Sequence, residues 1–174
     1  KKKVIPYLDE LSFEAQSTQS VNTIYLKDNK VVGHNTDIFG FESSIKKSDY
    51  NLNNKEVLIL GAGGVVSSII FALIKMKVSK IKICNRTKEK AENLKKIYKN
   101  LEIIKWGEVS NFDMIINATS LGLKKEDNLN LDFSSISGNK FFYDVIYNPG
   151  ETNFLKTGRE LGSKTLNGKL MFIY

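Results

Sequence analysis

Asn22-Thr23 and Asn35-Thr36-Asp37 place amides, hydroxyls and one carboxylate beside two apolar stretches. Such groups can bind a hydroxyl-bearing small molecule. They also make turns and helix caps, and Thr36 or Asp37 is expected to cap the helix that follows. Farther along, an apolar run ending at Leu60 leads into Gly61-Ala62-Gly63-Gly64-Val65. Gly61 can make a tight turn, and Gly63 lets the backbone approach a pyrophosphate. The free N–H groups of the next helix then face that anion. A glycine turn alone is a weak signal, but here it has a strand before it and a helix after it. The bulkier Val66 occupies the third position of the pattern, where Gly or Ala usually permits close packing. One strand later comes Cys84-Asn85-Arg86-Thr87. An NAD site usually has Asp or Glu there to accept hydrogen bonds from the ribose 2′-hydroxyl. Arg86 can instead pair with a 2′-phosphate and stack on adenine, and Asn85 and Thr87 can add neutral hydrogen bonds. NADP is therefore the expected cofactor.

The elements that must hold these residues alternate between strand and helix. Leu8, Leu11 and Ala15 have helical spacing, which predicts a helix over residues 8–20. Strands are expected at 23–26 and 31–33 around the turn Asp28-Asn29, followed by a helix over Asp37–Lys47. Further strands are expected at 56–60, 80–85, 102–105, 114–118, 141–146 and 163–166. Helices are expected at 65–76, at 87–98 with Thr87 as N-cap, and at 154–161, ended by Gly162. Strands that are apolar on both faces and alternate with helices imply a parallel sheet covered on each side. The fold class is thus α/β: a Rossmann-type doubly wound parallel sheet with helices on both faces, preceded by the remnant of another α/β unit. The boundary falls among Asn51, Asn53 and Asn54, giving units 1–50 and 51–174, with the helix from Asp37 as a bridge.

Of the 174 residues, 41% are hydrophobic and 26% charged, an ordinary globular balance that can build one sizeable core. The net charge of +7 would permit nucleic-acid binding. The lysines, however, are dispersed without interleaved aromatics, as on a solvated surface, and a basic rim can attract anionic ligands. Cys84 is the single cysteine and cannot form an internal disulfide, consistent with a reducing cytosol. No apolar run has transmembrane length, and no His/Cys/carboxylate spacing suggests a metal site. The expected partners are small molecules, with no nucleic acid and no membrane. A homodimer is compatible with this reading, and the expected location is cytoplasmic.

Seven segments occur in the order found in the shikimate dehydrogenase family. They are Ser20-Val21-Asn22-Thr23, Gly33-His34-Asn35-Thr36-Asp37, Gly61-Ala62-Gly63-Gly64, Asn85-Arg86-Thr87, Asn117-Ala118-Thr119-Ser120-Leu121-Gly122, Asp144-Val145-Ile146-Tyr147-Asn148-Pro149 and Gly168-Lys169-Leu170-Met171. The chain resembles that family over nearly its whole length. The resemblance implies reversible NADPH-dependent reduction of 3-dehydroshikimate to shikimate. It also implies a catalytic Lys–Asp pair, of which Asp37 is the Asp. The family's Lys lies eight residues before an Asp-Glu-Leu, so counting back from Asp9-Glu10-Leu11 gives Lys1, with Lys2 and Lys3 as alternative registers. By the same resemblance Asn22, Asp37 and Tyr147 meet the substrate. Gly61, Ala62, Gly63, Gly64, Val65, Asn85, Arg86, Thr87, Thr119, Ile146 and Gly168 meet the cofactor. Met171 is evenly balanced between core packing and site contact, and His34 is read as a strand-end side chain. Glutamyl-tRNA reductase shares the glycine turn and the Asn-Arg strand end but lacks the Val-Asn-Thr and Asn-Thr-Asp pair. Relative to the family, this stretch lacks the Ser-x-Ser motif and the closing helix. A fragment is therefore expected, inactive by itself, with apolar faces exposed in residues 1–50. A quinate-using relative and a catalytically incomplete NADP-binding module are the alternatives.

Overall fold

The computed structural model of the chain describes residues 1–109, 111–136 and 139–174. The first strands are β1 (Glu10–Leu11), β2 (Thr23–Lys27) and β3 (Lys30–His34), in the order β1-β3-β2. β2 and β3 form an antiparallel hairpin. Asp28 and Asn29 turn it with φ of 48° and 62°, the left-handed pair that a two-residue hairpin requires. All five residues of β2 are exposed, among them Ile24, Tyr25 and Leu26, in line with the expected apolar face.

The helix expected over residues 8–20 is shorter. A 3-10 turn covers Ile5–Tyr7, β1 pairs parallel to β3, and only Phe13–Thr18 forms a helix, α1. The spacing of Leu8 and Leu11 misleads here because both side chains close over Gly33, where a Cβ would lie 2.5 and 2.9 Å from them. Ser12 then caps α1, its hydroxyl accepting from Ala15 N–H at 3.2 Å.

The remaining elements follow the alternating rhythm. They are α2 (Asp37–Lys47), β4 (Glu56–Leu60), α3 (Val66–Lys75), β5 (Lys80–Cys84), α4 (Lys88–Ile97), β6 (Leu101–Ile103), β7 (Met114–Asn117), β8 (Phe141–Asp144), α5 (Asn153–Glu160), β9 (Lys164–Leu166) and α6 (Lys169–Ile173). β4 to β9 form one parallel sheet, ordered β6-β5-β4-β7-β8-β9. The chain winds outward from β4 through β5 to β6, returns beside β4 at β7, and winds the other way. The crevice between the carboxyl ends of β4 and β7 is therefore a topological switch point, where open α/β sheets bind ligands.

Alternation along each strand feeds two cores. Val57 and Ile59 of β4 pack with α2, α3 and α4 through Phe41, Ile69 and Leu94. Leu58 and Leu60 pack on the other face with Phe154 and Leu155 of α5 and with Leu129 and Phe133. The doubly wound architecture with both faces covered is thus present. α2 is more than a bridge, since Ile38, Phe41 and Ile45 are buried in the first core and Ser44 Oγ lies 3.0 Å from Tyr143 Oη. The expected strand at 102–105 is β6, shifted to Leu101–Ile103, and α6 is an addition to the expected elements.

Candidate functional site

Asp37 opens α2, where the backbone leaves β3. The Asn35 carboxamide oxygen accepts from Asp37 N–H at 3.0 Å. The Asn35 amide is buried and donates among Ser20 O at 2.8 Å, Ser68 Oγ at 2.9 Å and Thr18 Oγ1 at 3.2 Å. Asn35 therefore ties α1, the 20–22 segment and α3 to the first residue of α2. The expected cap is corrected on this point: Thr36 occupies the N-cap position without a side-chain cap, and Asn35 serves the Asp37 N–H instead. Asn22 is held the same way. Its carbonyl accepts from Thr36 N–H at 3.0 Å, while its amide donates to Thr36 Oγ1 at 2.9 Å and Asp37 Oδ1 at 3.0 Å.

The Lys1 ammonium donates to Asp37 Oδ2. The Asp37 carboxylate keeps 16% side-chain exposure and Lys1 31%, so the pair is sheltered yet open to a small molecule. The Lys1 stem passes Gly64, its Cδ 3.6 Å from where a Cβ on that glycine would be. Ser20 Oγ donates to Gly64 O at 3.2 Å. Lys1 and Ser20 thus touch the glycine turn directly, and Asp37 and Asn22 are linked to it through Lys1.

The turn also lines a cleft of about 680 Å³, together with Asn85, Arg86, Thr87 and Thr119. Gly61 has φ of 102°, and a Cβ there would lie 2.9 Å from Ala118 O, so both conformation and space require glycine. A Cβ on Gly63 would meet only Ala118 O, at 3.7 Å, and that residue is exposed to the cleft. Val65 holds the N-cap position of α3 without a side-chain cap and without an acidic residue in the first turn, which suits a phosphate. Val66 is accommodated inside the first core, fully buried. The Asn85 carbonyl accepts from Ala62 N–H at 3.1 Å and its amide donates to Thr87 O at 2.7 Å. Thr87 stands at the N-cap of α4, as expected, but makes no cap hydrogen bond through its side chain. These features fit a dinucleotide: an open glycine cradle, a helix start and a cation one strand away.

Ile146 and Gly168 are adjacent, with Gly168 N–H donating to Ile146 O at 3.1 Å. Tyr147 is 47% exposed and its ring stacks on Phe172 at 4.8 Å. Among the described residues Tyr147 makes no hydrogen bond to the Lys1–Asp37 cluster. Met171 packs partly on the first core, and its carbonyl approaches Gly40. His34 Nδ1 lies 2.8 Å from Ser12 Oγ, away from the glycine turn's hydrogen bonds.

Reasoning from the sequence missed four contributors. Lys90 lines the cleft with Arg86 because it falls in the first turn of α4; its place in a lysine-rich helix gave it the look of a solvated charge. Trp106 lines it too, from the loop after β6. Asn117 and Asp144 end β7 and β8 and brace the loops beyond. The Asn117 carbonyl accepts from Thr119 Oγ1 at 2.7 Å and Thr119 N–H at 3.1 Å. Burial raises the Asp144 carboxyl above the usual carboxylate range, opposed by hydrogen bonds from Thr152, Ile146 N–H and Asn117. Burial likewise pushes the Cys84 thiol up to about 12, so it is a protonated apolar filler at neutral pH. Among the described residues no group of three or more His, Cys, Asp or Glu side chains is placed to hold a metal ion, and no helix is long and apolar enough to cross a membrane.

Residues 43–129 match the family model described as shikimate / quinate 5-dehydrogenase. A protein of Pelagibacter ubique named shikimate dehydrogenase (NADP(+)) is 62% identical over 174 residues, covering 100% of this chain and 66% of its own length. The crystal structure of shikimate dehydrogenase from Aquifex aeolicus superposes with a TM-score of 0.92 at 36% identity, covering 100% of this chain and 65% of that one. The Thermus thermophilus enzyme, solved with NADP(H) and shikimate, gives 0.89 at 28% identity, over 99% of this chain and 65% of that one. The chain therefore spans just under two thirds of the length of the relatives it matches. With half of its residues matched by the family model, the chain belongs to the shikimate / quinate 5-dehydrogenase family.

Proposed function

We propose that this chain carries the cofactor half and the catalytic couple of an enzyme that reduces 3-dehydroshikimate to shikimate with NADPH, reversibly. The observation that carries the reading is the Lys1–Asp37 pair, set against the glycine turn that lines one cleft with Arg86. Bound NADPH supplies the hydride. Reduction of a ketone leaves negative charge on oxygen, and the Lys1 ammonium stabilises that charge and donates the proton from Nζ. Asp37 orients Lys1 through Oδ2, and its carboxylate and the Asn22 amide receive substrate hydroxyls. Tyr147 closes the substrate side. Gly61, Ala62, Gly63, Gly64 and Val65 take the pyrophosphate, while Asn85, Arg86 and Thr87 take the adenosine 2′-phosphate, with Lys90 as a second cation. Thr119, Ile146 and Gly168 flank the nicotinamide.

Residues 1–50 act as part of the substrate-binding unit and 51–174 as the NADP-binding unit. The enzyme works in the cytoplasm, and its active form is a homodimer. NADP is favoured over NAD because the second strand of the large sheet ends in Asn85-Arg86 with no carboxylate there to repel a phosphate.

In the full-length enzyme, Lys1→Ala and Asp37→Asn are each expected to lower kcat by roughly 10²–10⁴-fold, the usual reach of acid–base catalysis, while the NADPH Kd stays unchanged. The checks are loss of NADPH absorbance with 3-dehydroshikimate and calorimetric titration with NADPH. Normal turnover in either variant overturns the catalytic assignment.

A further inference from the structure

The loops beyond the six strands follow one another in sheet order, and those after β6, β5, β4 and β7 line the cleft. In sheet order they bring Trp106 after β6, Arg86 after β5, Gly61 after β4, Thr119 after β7, Ile146 after β8 and Gly168 after β9. With the 2′-phosphate on Arg86 and the pyrophosphate over Gly61 and Gly63, the adenine falls on the β5–β6 side of the glycine turn. Trp106 is the aromatic residue that the fold supplies there.

Its presentation is built into the backbone. Lys105 and Glu108 close a turn, Glu108 N–H donating to Lys105 O at 3.1 Å. Gly107 is the third residue of that turn with φ of 94°, and a Cβ on it would meet nothing within 4 Å. A positive φ at this position marks a type II turn, which favours glycine. The turn leaves Trp106 half-buried: part of its indole rests on the second core and the residue also lines the cleft. Leu121 and Leu129 reach the same cleft from the same core. Core cover alone would account for the buried part of the ring. It does not account for an indole and two leucines lining the same cleft as the cations Arg86 and Lys90.

We infer that Trp106 is the adenine platform of this cleft, its indole stacking on the base of a 2′-phosphoadenosine group whose phosphate is held by Arg86 and Lys90. Stacked aromatic rings gain from area burial and from offset quadrupoles, and every base offers such a face. This assignment rests on the NADP reading above.

Trp106 is the single tryptophan of the chain, so its emission reports on this cleft without a label. The 174-residue chain is titrated with NADP, with adenosine 2′,5′-bisphosphate and with nicotinamide mononucleotide, following tryptophan emission and binding heat in parallel. NADP and adenosine 2′,5′-bisphosphate are expected to change the emission alike, and the mononucleotide to leave it unchanged. Binding heat from the bisphosphate without an emission change overturns the adenine assignment while sparing the NADP reading. So does an equal emission change with the mononucleotide. No heat from NADP or the bisphosphate removes the NADP reading and the assignment with it. Trp106→Leu is expected to weaken the bisphosphate about tenfold, with Trp106→Phe retaining most of the affinity. Undiminished affinity in a folded Trp106→Leu protein leaves Trp106 as core cover only and overturns the assignment.

Discussion

The Asn117 carboxamide donates to the Asp144 carboxylate across neighbouring strands, 3.2 Å from each oxygen. Asp144 also accepts from Ile146 N–H at 2.9 Å and from Thr152 Oγ1 at 2.6 Å. The second Asn117 bond, to Leu121 O at 3.0 Å, fixes the loop that carries Thr119. One buried carboxyl thus sets the directions of two loops that leave the switch point of the sheet.

Burial raises the Asp144 pKa, and this gives stability a definite pH dependence. Below the ordinary aspartate value, about 4, the group is protonated in both folded and unfolded chains, so its contribution is fully present and independent of pH. Between that value and the raised folded one, only the folded chain holds the proton. Stability therefore falls as pH rises through this window, by at most about 1.4 kcal/mol per pH unit, and levels off above the folded pKa. Asp144→Asn loses this component. Its amide also faces three donors, so the variant is less stable throughout. In urea titrations from acid to neutral pH, the stability advantage of the wild type over Asp144→Asn is expected to shrink as pH rises. A constant or growing advantage would show that the carboxyl titrates normally.

Arg86 and Lys90 separate the phosphate reading from general electrostatics. Arg86→Ala is expected to weaken NADPH binding by about 10–100-fold, in line with a charge-assisted phosphate contact, and to leave NADH nearly unchanged. Lys90→Ala follows in the same direction with a smaller loss, because an exposed ammonium is a hydrated point charge without the guanidinium's fixed fork. Both losses diminish at high salt. Equal weakening of NADPH and NADH by Arg86→Ala, measured by calorimetry at one ionic strength, would remove the 2′-phosphate from the argument.

The parts of the fold that were legible in the sequence are those decided by neighbours in the chain. The glycine turn is framed by its own strand and helix, and Arg86 is placed by one βα step beyond it. The Asp28-Asn29 turn carries the conformational preference that closes its hairpin. What was not legible depends on distant partners. Leu8 and Leu11 have helical spacing, yet the gap over Gly33 draws them onto a sheet. Asn35 looks like a local cap residue, but its amide reaches Ser68 on α3. Lys90 reads as one lysine among many on α4 until the loop after β6 folds beside it. α6 has five residues, too few to announce itself by periodicity, and its position is set by close backbone contacts to two other elements.

Those contacts make the last prediction. A Cβ on Gly168 would lie 2.0 Å from Val145 O, and one on Gly40 would lie 2.4 Å from Met171 O. In both cases the obstacle is backbone, which cannot rotate aside as a side chain can. Gly168→Ala and Gly40→Ala must each move α6, Gly168→Ala away from the end of β8 and Gly40→Ala away from α2. Each is expected to lose about 1–3 kcal/mol of stability, the usual range for overpacking. Gly150→Ala, where nothing lies within 4 Å of the added carbon, is the control and should be nearly neutral. Because both substitutions displace the same helix, their effects are coupled and should not add. Denaturant midpoints of the two single variants and the double variant test this directly. A Gly168→Ala protein as stable as Gly150→Ala, or strict additivity in the double variant, would mean that α6 is not clamped between β8 and α2.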